Sequence, residues 1–209
     1  MLSLLPTLTF ASAESVELLK APVNLQDKVS LQRGANLFIN QCMGCHSLEY
    51  IRYERLVTDL GIPPEVVKEQ MIFNGQDIGS KMISSMDSEV AAKWFGIVPP
   101  DLTLESKLRS PDWIYSYLLA FYPDASRPFG VNNHVFPNVG MPHVLQDMQE
   151  KLEPEEFKQA VGDLTNFLTY SSDPTKLSRE RIGTFVLIFL AILFVPVWFL
   201  NREYWKDVK

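Results

Sequence analysis

The chain is poor in cysteine: its 209 residues include only Cys42 and Cys45, and both lie in one short segment. Two cysteines this close cannot build the disulfide framework of a small secreted domain. A closed zinc site would need two further Cys or His ligands nearby, and the remaining histidines, His134 and His143, lie far downstream. Basic residues do not predominate either, since the formal net charge is −6. That balance argues against nucleic acid as a partner and suits docking to a basic protein.

The two cysteines belong to the segment Cys42-Met43-Gly44-Cys45-His46, which reads C-x-x-C-H. This spacing is the attachment signature of a c-type haem. Each thiol can form a thioether with one vinyl group, and the following imidazole is then held beneath the iron. A thioredoxin-like redox pair is the alternative, but it needs a strand before the motif, and the residues before Cys42 have a helical pattern. The segment therefore predicts one covalent haem c, attached through Cys42 and Cys45, with His46 as a metal ligand.

The N-terminus predicts export. Residues 1–10 are apolar, and Ala11-Ser12-Ala13 is an A-x-A cleavage pattern. We therefore predict a signal peptide over residues 1–13, although the usual basic n-region is missing and a short buried segment is the alternative. Export is also expected on separate grounds, because c-type haem is attached outside the cytoplasmic membrane.

A long apolar run near the C-terminus, Ile182–Leu200, contains no charged residue. A helix rises ~1.5 Å per residue, so a run of this length comes close to the ~30 Å hydrocarbon core of a bilayer. Trp198, Tyr204 and Trp205 at its far end suit a membrane interface, and Pro196 is expected to kink the helix. We predict a single membrane anchor here, with a buried core helix as the alternative.

These two segments set the predicted domain boundaries. Basic residues flank both ends of the apolar run, so the charge bias does not give its orientation. The haem domain has to be exported, which places residues 14–178 outside the cytoplasmic membrane. Residues 179–201 then form the membrane anchor, and residues 202–209 form a cytoplasmic tail.

The intervening sequence has helical periodicity. Ser30 is a plausible N-cap, and Leu31, Ala35 and Phe38 then share one helix face with the two cysteines. A second amphipathic helix is expected from Pro154, and a third over residues 111–121. No convincing strand series is present. A mostly helical fold around one cofactor follows.

The motif does not give the second axial ligand, for which a Met thioether or a second His is usual in electron transfer. Candidates by residue type are Met71, Met82, Met86, Met141, Met148, His134 and His143. Met43 lies between the cysteines and cannot reach over the haem. Met141 is favoured, because Gly140 permits close backbone approach and Pro142 stiffens this loop shortly before the last amphipathic helix. His143, His134 or an open position is the alternative.

Several segments in this order resemble the cytochrome c1 family, the haem subunits of the bc1 complex, over nearly all of the chain after the predicted signal. The C-x-x-C-H motif alone is shared by many cytochromes, so the other segments carry most of the specificity. The matching segments are Arg33-Gly34, Gln41–Leu48, Pro99-Pro100-Asp101-Leu102-Thr103 with Arg109, Gly140-Met141-Pro142, Leu164–Tyr170 with Asp173-Pro174, and the C-terminal span.

The resemblance implies a mostly α fold, a class I-like c-type cytochrome domain with a single C-terminal transmembrane helix. It implies that Met141 is the sixth ligand and that Arg109 contacts a haem propionate. Trp113 stands where the family often has a propionate-binding tyrosine, and Pro100 belongs to the haem-binding segment. No catalytic base or nucleophile is expected.

The function implied is a one-electron relay from the Rieske iron–sulfur subunit to cytochrome c or a terminal oxidase, beside cytochrome b in a dimeric, lipid-embedded complex. The chain is shorter than mitochondrial members, as in a compact bacterial form, which implies a periplasmic haem domain anchored in the inner membrane. The alternatives are another membrane-anchored monohaem cytochrome that donates to an oxidase, or a haem-based sensor or peroxidase with an open sixth position.

Four acidic residues have two interpretations: they steer a basic electron acceptor toward the protein, or they lie at a helix N-terminus, where the helix dipole favours negative charge. They are Glu150, Glu153, Glu155 and Glu156.

Overall fold

Nine α-helices and four short strands form the regular structure of residues 16–208, which are the residues that this computed structural model describes. The helices are α1 (Lys28–Leu37), α2 (Glu54–Thr58), α3 (Pro64–Gln70), α4 (Ser88–Phe95), α5 (Glu105–Arg109), α6 (Pro111–Leu119), α7 (Gln146–Lys151), α8 (Pro154–Ser172) and α9 (Lys176–Tyr204). The strands are β1 (Leu48–Arg52), β2 (Lys81–Met82), β3 (Phe121–Pro123) and β4 (Val131–Asn133). The predicted mostly helical fold is confirmed. The predicted signal peptide, residues 1–13, lies outside the described residues.

Helices α1 and α8 pack against each other at the centre of the fold, and their contact depends on a glycine. A Cβ atom on Gly34 would stand 2.1 Å from the carbonyl oxygen of Asp163 and 2.7 Å from the Cβ of Phe167. Only a residue without a side chain lets two backbones approach this closely. Next to it, Arg33 donates to both carboxylate oxygens of Asp163, at 2.6 and 3.0 Å. The Arg33-Gly34 pair thus fixes the helix that leads to the cysteines.

The start of α1 differs from the prediction. Ser30 is predicted as the N-cap, but the cap is Asp27, whose side chain accepts a hydrogen bond from the Ser30 N–H at 3.0 Å. Aspartate caps a helix as well as serine does, because both place an oxygen next to the free N–H groups. The predicted apolar face is nevertheless present, since Leu31, Ala35 and Phe38 are all buried.

Two small antiparallel β-pairs are present, although the sequence shows no convincing strand series. Strand β1 pairs with β2, with Leu48 opposite Met82, and β3 pairs with β4, with Phe121 opposite Asn133. Strands of two to five residues are too short to show a convincing alternation of apolar and polar residues. The pairs brace the irregular segments on either side of the candidate site.

Helix α8 begins at the predicted Pro154. Glu153 and Glu156 form a reciprocal capping box at this end, which satisfies backbone N–H groups that the helix leaves free. Two of the four acidic residues therefore act at the helix N-terminus. The predicted apolar stripe is buried and consists of Phe157, Val161, Leu164 and Leu168.

Helix α9 contains the predicted apolar run and extends beyond it at both ends. It continues through Pro196 without interruption, as a helix can when a single backbone hydrogen bond is lost. By length and composition it can cross a membrane, and its apolar window is not buried against the rest of the described chain. At its first turn, Arg179 donates to both carboxylate oxygens of Asp173, at 2.7 and 2.9 Å. This pair joins the helix to the end of α8.

Candidate haem site

An apolar cavity with about 520 Å³ of empty volume lies beside the C-x-x-C-H segment. The lining residues are Gln41, Cys42, Cys45, His46, Phe95, Ile97, Pro99, Pro100, Gly140, Met141, Pro142 and Val144. The structure thus brings together Cys42, Cys45, His46, Pro100 and Met141, five of the seven predicted site residues.

The orientation of His46 is fixed by Pro100. The Nδ1 atom of His46 lies 2.8 Å from the Pro100 carbonyl oxygen. Because a carbonyl oxygen only accepts, Nδ1 must carry the proton, and Nε2 keeps a free lone pair. Burial lowers the pKa of His46 and outweighs the opposing effects of the Pro100 hydrogen bond and of the Asp101 and Glu105 carboxylates. The imidazole is therefore neutral at neutral pH, and the bond from Nδ1 to a backbone carbonyl is one that metal-bound histidines usually make.

Asp101 holds the Pro100 segment against the chain that follows His46. Its Oδ2 atom accepts from the Glu49 N–H at 2.7 Å, and its Oδ1 atom accepts from the Thr103 N–H at 2.9 Å. The next residue, Leu102, donates its N–H to the Ser47 carbonyl at 2.9 Å. The Pro-Pro-Asp-Leu-Thr segment is therefore the structural support for the imidazole.

The cysteines follow a π-helical turn, Phe38–Cys42, that continues from α1. The N–H of Met43 donates to the Phe38 carbonyl at 2.9 Å, one residue further back than in an α-helix. Burial raises the pKa of Cys42 to about 12 and also raises the pKa of Cys45. Both thiols are then protonated at neutral pH, unlike the low-pKa thiolate of a thioredoxin-like pair. The preceding helix also argues against that alternative.

Met141 lies in an irregular segment that is packed from two sides. Its Sδ atom accepts a hydrogen bond from the Tyr117 hydroxyl at 3.4 Å. A Cβ on Gly140 would stand 3.3 Å from the carbonyl oxygen of Phe95, so the loop lies close against the end of α4. Burial raises the pKa of Tyr117 far above its usual value, and its hydroxyl therefore stays a donor.

The other candidates for the sixth ligand lie elsewhere. Met71 and Met82 are buried in the core. The ring of His143 stacks on Phe121 with centroids 4.7 Å apart, and the ring of His134 stacks on Tyr122 at 4.2 Å. Within residues 16–208, His46 and Met141 are the only histidine and methionine that line the cavity.

Arg109 and Trp113 do not line the cavity. The guanidinium carbon of Arg109 lies 4.4 Å from the centroid of the Trp113 ring, and its Nε donates to Glu105 at 3.1 Å. The Trp113 ring stacks on Tyr117, with centroids 5.0 Å apart and planes 8° from parallel. The two predicted residues are thus connected to Met141 through Tyr117. Their contact with a haem propionate stays a prediction.

Sequence reasoning missed Tyr117 and the apolar wall formed by Phe95 and Ile97. Tyr117 could have been found, because it lies one helical turn after Trp113 and shares its helix face. Phe95 and Ile97 flank Gly96, which ends α4 with a φ of 76°. Nothing in their local pattern indicates that they reach a cavity formed by distant segments.

The residues around the cavity fit a covalently held haem. One wall supplies two thiols and a neutral imidazole with a free lone pair, and another supplies a thioether. The remaining lining is mainly apolar, which suits a porphyrin and limits access of water to an iron centre. The arrangement can hold and tune a redox group.

Comparison with known proteins agrees with this geometry. The family model described as Cytochrome C1 family matches residues 19–208. Cytochrome c1 of Allochromatium vinosum is 46% identical over 99% of this chain and 96% of that protein. The ammonia monooxygenase gamma subunit of Nitrosomonas europaea is 37% identical over 98% of this chain and 94% of that protein. The mitochondrial cytochrome c1 haem protein of Saccharomyces cerevisiae is 28% identical over 90% of this chain and 70% of that protein. The chain belongs to the cytochrome c1 family.

Proposed function

We propose that this protein is the electron-transfer subunit of a bc1 complex and carries one covalently attached haem c. Family membership supports this function, and a further relative, from Candida albicans, is named as a subunit of a cytochrome b-c1 complex. When bound, the haem supplies an iron that alternates between its ferric and ferrous states. The surrounding residues determine how the group is held and which state is favoured.

In this proposal Cys42 and Cys45 attach the group covalently, and His46 and Met141 bind the iron. Pro100 keeps the His46 imidazole in the tautomer that leaves Nε2 free. A neutral thioether favours the ferrous state more than a second imidazole would, and so it raises the reduction potential. With His46 and Met141 as its ligands, the haem would relay electrons, and no general base or nucleophile would be needed.

The observation that carries the proposal is the placement of His46 and Met141 on one apolar cavity, with His46 Nδ1 bonded to the Pro100 carbonyl. We expect Met141→Leu to lower the reduction potential and to let carbon monoxide bind the ferrous protein. Met86→Leu, at a methionine outside the cavity lining, is the control and should change neither property. A Met141→Leu protein with the original potential and no reaction with carbon monoxide would contradict the assignment.

The electron is proposed to come from the Rieske subunit and to pass to cytochrome c or a terminal oxidase, in a dimeric complex with cytochrome b. The negative net charge supports a basic acceptor, because opposite charges steer association. Purification of the intact complex in mild detergent tests these partners. Cytochrome b and the Rieske subunit should copurify, whereas a separate cytochrome that donates to an oxidase would bring down the oxidase alone.

We propose that helix α9 anchors the haem domain on the periplasmic side of the inner membrane. The length and apolar surface of α9 support a single span. A chain stopped after Gly183 keeps the pair between Arg179 and Asp173 and should be released as a soluble haem protein after export. If it stays in the membrane pellet after a carbonate wash, another segment is the anchor.

The relative from Nitrosomonas europaea suggests a second function, a role in a monooxygenase, because it is named an ammonia monooxygenase subunit. Oxygen chemistry at a haem needs an accessible axial position, as a sensor or peroxidase would. Met141 on the cavity, held by Tyr117, argues against such a position. Slow or absent carbon monoxide binding by the unmodified ferrous protein favours electron transfer, and rapid binding favours the second function.

A further inference from the structure

The segment that carries Met141 has almost no regular backbone structure of its own. We call residues 134–145 the Met141 loop. It connects the end of β4 to the start of α7 and contains no helix or strand. Its backbone is therefore not held by a ladder of regular hydrogen bonds, and its position depends on side chains that reach it from other elements.

Arg127 is the side chain that contacts this loop most extensively through hydrogen bonds. From the turn between β3 and β4, its Nη2 atom donates to the carbonyl of Asn138 at 2.8 Å and to the carbonyl of Val139 at 3.2 Å. Its Nη1 atom donates to the Asn138 side chain at 3.4 Å. A guanidinium is a planar group with donors in fixed directions, so the three contacts together define where this part of the loop lies.

Arg127 is itself held in place. Its N–H donates to the Asp124 carbonyl at 3.1 Å, and its own carbonyl accepts from the Gly130 N–H at 3.0 Å. These bonds fix the backbone of Arg127. Its three side-chain hydrogen bonds, which we call the clamp, therefore connect an ordered turn to the Met141 loop.

Asn132 contacts the same loop residue from the other side. Its Oδ1 atom accepts from the Asn138 N–H at 2.9 Å, while its Nδ2 atom donates to Asp124 at 2.9 Å. Asn138 has a φ of 64°, in the left-handed region that asparagine adopts more readily than most residues other than glycine. Its hydrogen bonds with Arg127 and Asn132 hold it there, three residues before Met141.

We infer that Arg127 is a positioning residue for the sixth haem ligand: by clamping Asn138 and Val139, it sets where the Met141 sulfur lies and how firmly it binds iron. The inference rests on the proposed assignment of Met141. Arg127 does not line the cavity, and its side chain donates to Asn138 and Val139, so it acts through the loop. Loss of the clamp increases the fraction of protein in which the sulfur has left the iron.

The size of the effect follows from the bonds that are lost. Hydrogen bonds from a charged donor are among the stronger ones in proteins, and the contact between Asn132 and Asn138 remains after those of Arg127 are lost. We therefore expect Arg127→Ala to raise the sulfur-dissociated fraction about tenfold, which is about 1.4 kcal/mol. The rate at which the ferrous protein binds carbon monoxide should rise by the same factor. The ferric sulfur-to-iron charge-transfer band should weaken.

Two further variants separate positioning from charge. Asn132→Ala removes an uncharged contact with the same Asn138 and should change the band and the carbon monoxide rate in the same direction. Arg127→Lys keeps the positive charge but loses the planar, forked arrangement of donors. It should therefore reproduce most of the effect of Arg127→Ala. Arg52→Ala is the control, because Arg52 bonds a backbone carbonyl, that of Gly79, in a different part of the fold.

The holoprotein is used throughout, with haem staining on denaturing gels and far-ultraviolet circular dichroism to show that each variant is loaded and folded. Wild-type band intensity and carbon monoxide kinetics in Arg127→Ala and Asn132→Ala would overturn the inference. The inference would also be overturned if Arg127→Lys behaved like the wild type and Asn132→Ala changed neither the band nor the carbon monoxide rate, since only the charge of Arg127 would then matter. Failure of the ligand assignment is distinguishable, because Met141→Leu would then leave the band itself intact.

Discussion

Removal of one hydroxyl group, in Tyr117→Phe, tests the link between α6 and the proposed sixth ligand. The Tyr117 hydroxyl donates to the Met141 Sδ atom at 3.4 Å, and its ring stacks on Trp113. Phenylalanine keeps the ring and its stacking. The substitution therefore removes the donor to the sulfur with little change in packing.

The direction and size of the effect follow from the hydrogen bond. A donor on the sulfur withdraws electron density, which disfavours the ferric iron more than the ferrous iron, so its loss should lower the reduction potential. A typical bond contributes about 1 kcal/mol, and a thioether is a weak acceptor, so about 0.5 kcal/mol is appropriate. For a one-electron couple, about 59 mV corresponds to about 1.4 kcal/mol, which gives a decrease of about 20 mV.

A spectroelectrochemical titration of the purified holoprotein resolves a shift of this size. Tyr115→Phe is the control, because Tyr115 is a buried tyrosine on the same helix and does not line the cavity. The shift in Tyr117→Phe should be independent of pH through neutrality, since burial raises the Tyr117 pKa and keeps the hydroxyl protonated. Equal potentials in the two variants, or a higher potential in Tyr117→Phe, would refute the reasoning.

Three further predictions concern attachment, charge and packing. Cys45→Ser should show defective covalent haem attachment on a denaturing gel stained for haem, and wild-type staining would contradict the thioether role. Arg109→Ala should lower the potential, because a cation near the site favours the ferrous state and the guanidinium lies over Trp113, which stacks on Tyr117; Lys107→Ala, whose ammonium group pairs with Asp173, should not. Gly34→Ala should destabilise the protein by about 3 kcal/mol in a denaturant titration, since its Cβ would meet a carbonyl at 2.1 Å. Gly79→Ala, where a Cβ meets nothing within 4 Å among the described residues, should be nearly neutral.

The long helices could be predicted because their signals are local. Pro154 and the apolar stripe that follows it mark α8, and the uncharged run Ile182–Leu200 marks α9, since each pattern spans several helical turns. The predicted N-cap of α1, Ser30, was wrong by one turn, because Asp27 and Ser30 are both good capping residues. The β-pairs could not be predicted, because strands of two to five residues are too short to show a clear alternation of apolar and polar residues.

The candidate site could be predicted only in part, and its two halves differ for a physical reason. His46 follows from a five-residue motif, and its support by Pro100 comes from a segment that the family resemblance already emphasised. Met141 was identified by its residue type and its place in the chain. Its contacts with Tyr117 and Arg127 could not be read from the sequence, because they join residues that are separated along the chain by loops without periodicity.

The two halves of the site should differ in how far they let the reduction potential vary among related chains. The half that holds His46 depends on the backbone carbonyls of Pro100 and Ser47 and on a single side chain, that of Asp101. The half that holds Met141 depends on the Tyr117 hydroxyl, on the guanidinium of Arg127 and on Asn132. A single substitution can therefore loosen or polarise the sulfur while the haem remains covalently attached. Variation in potential should consequently follow the residues that contact the Met141 loop more closely than those around the cysteines.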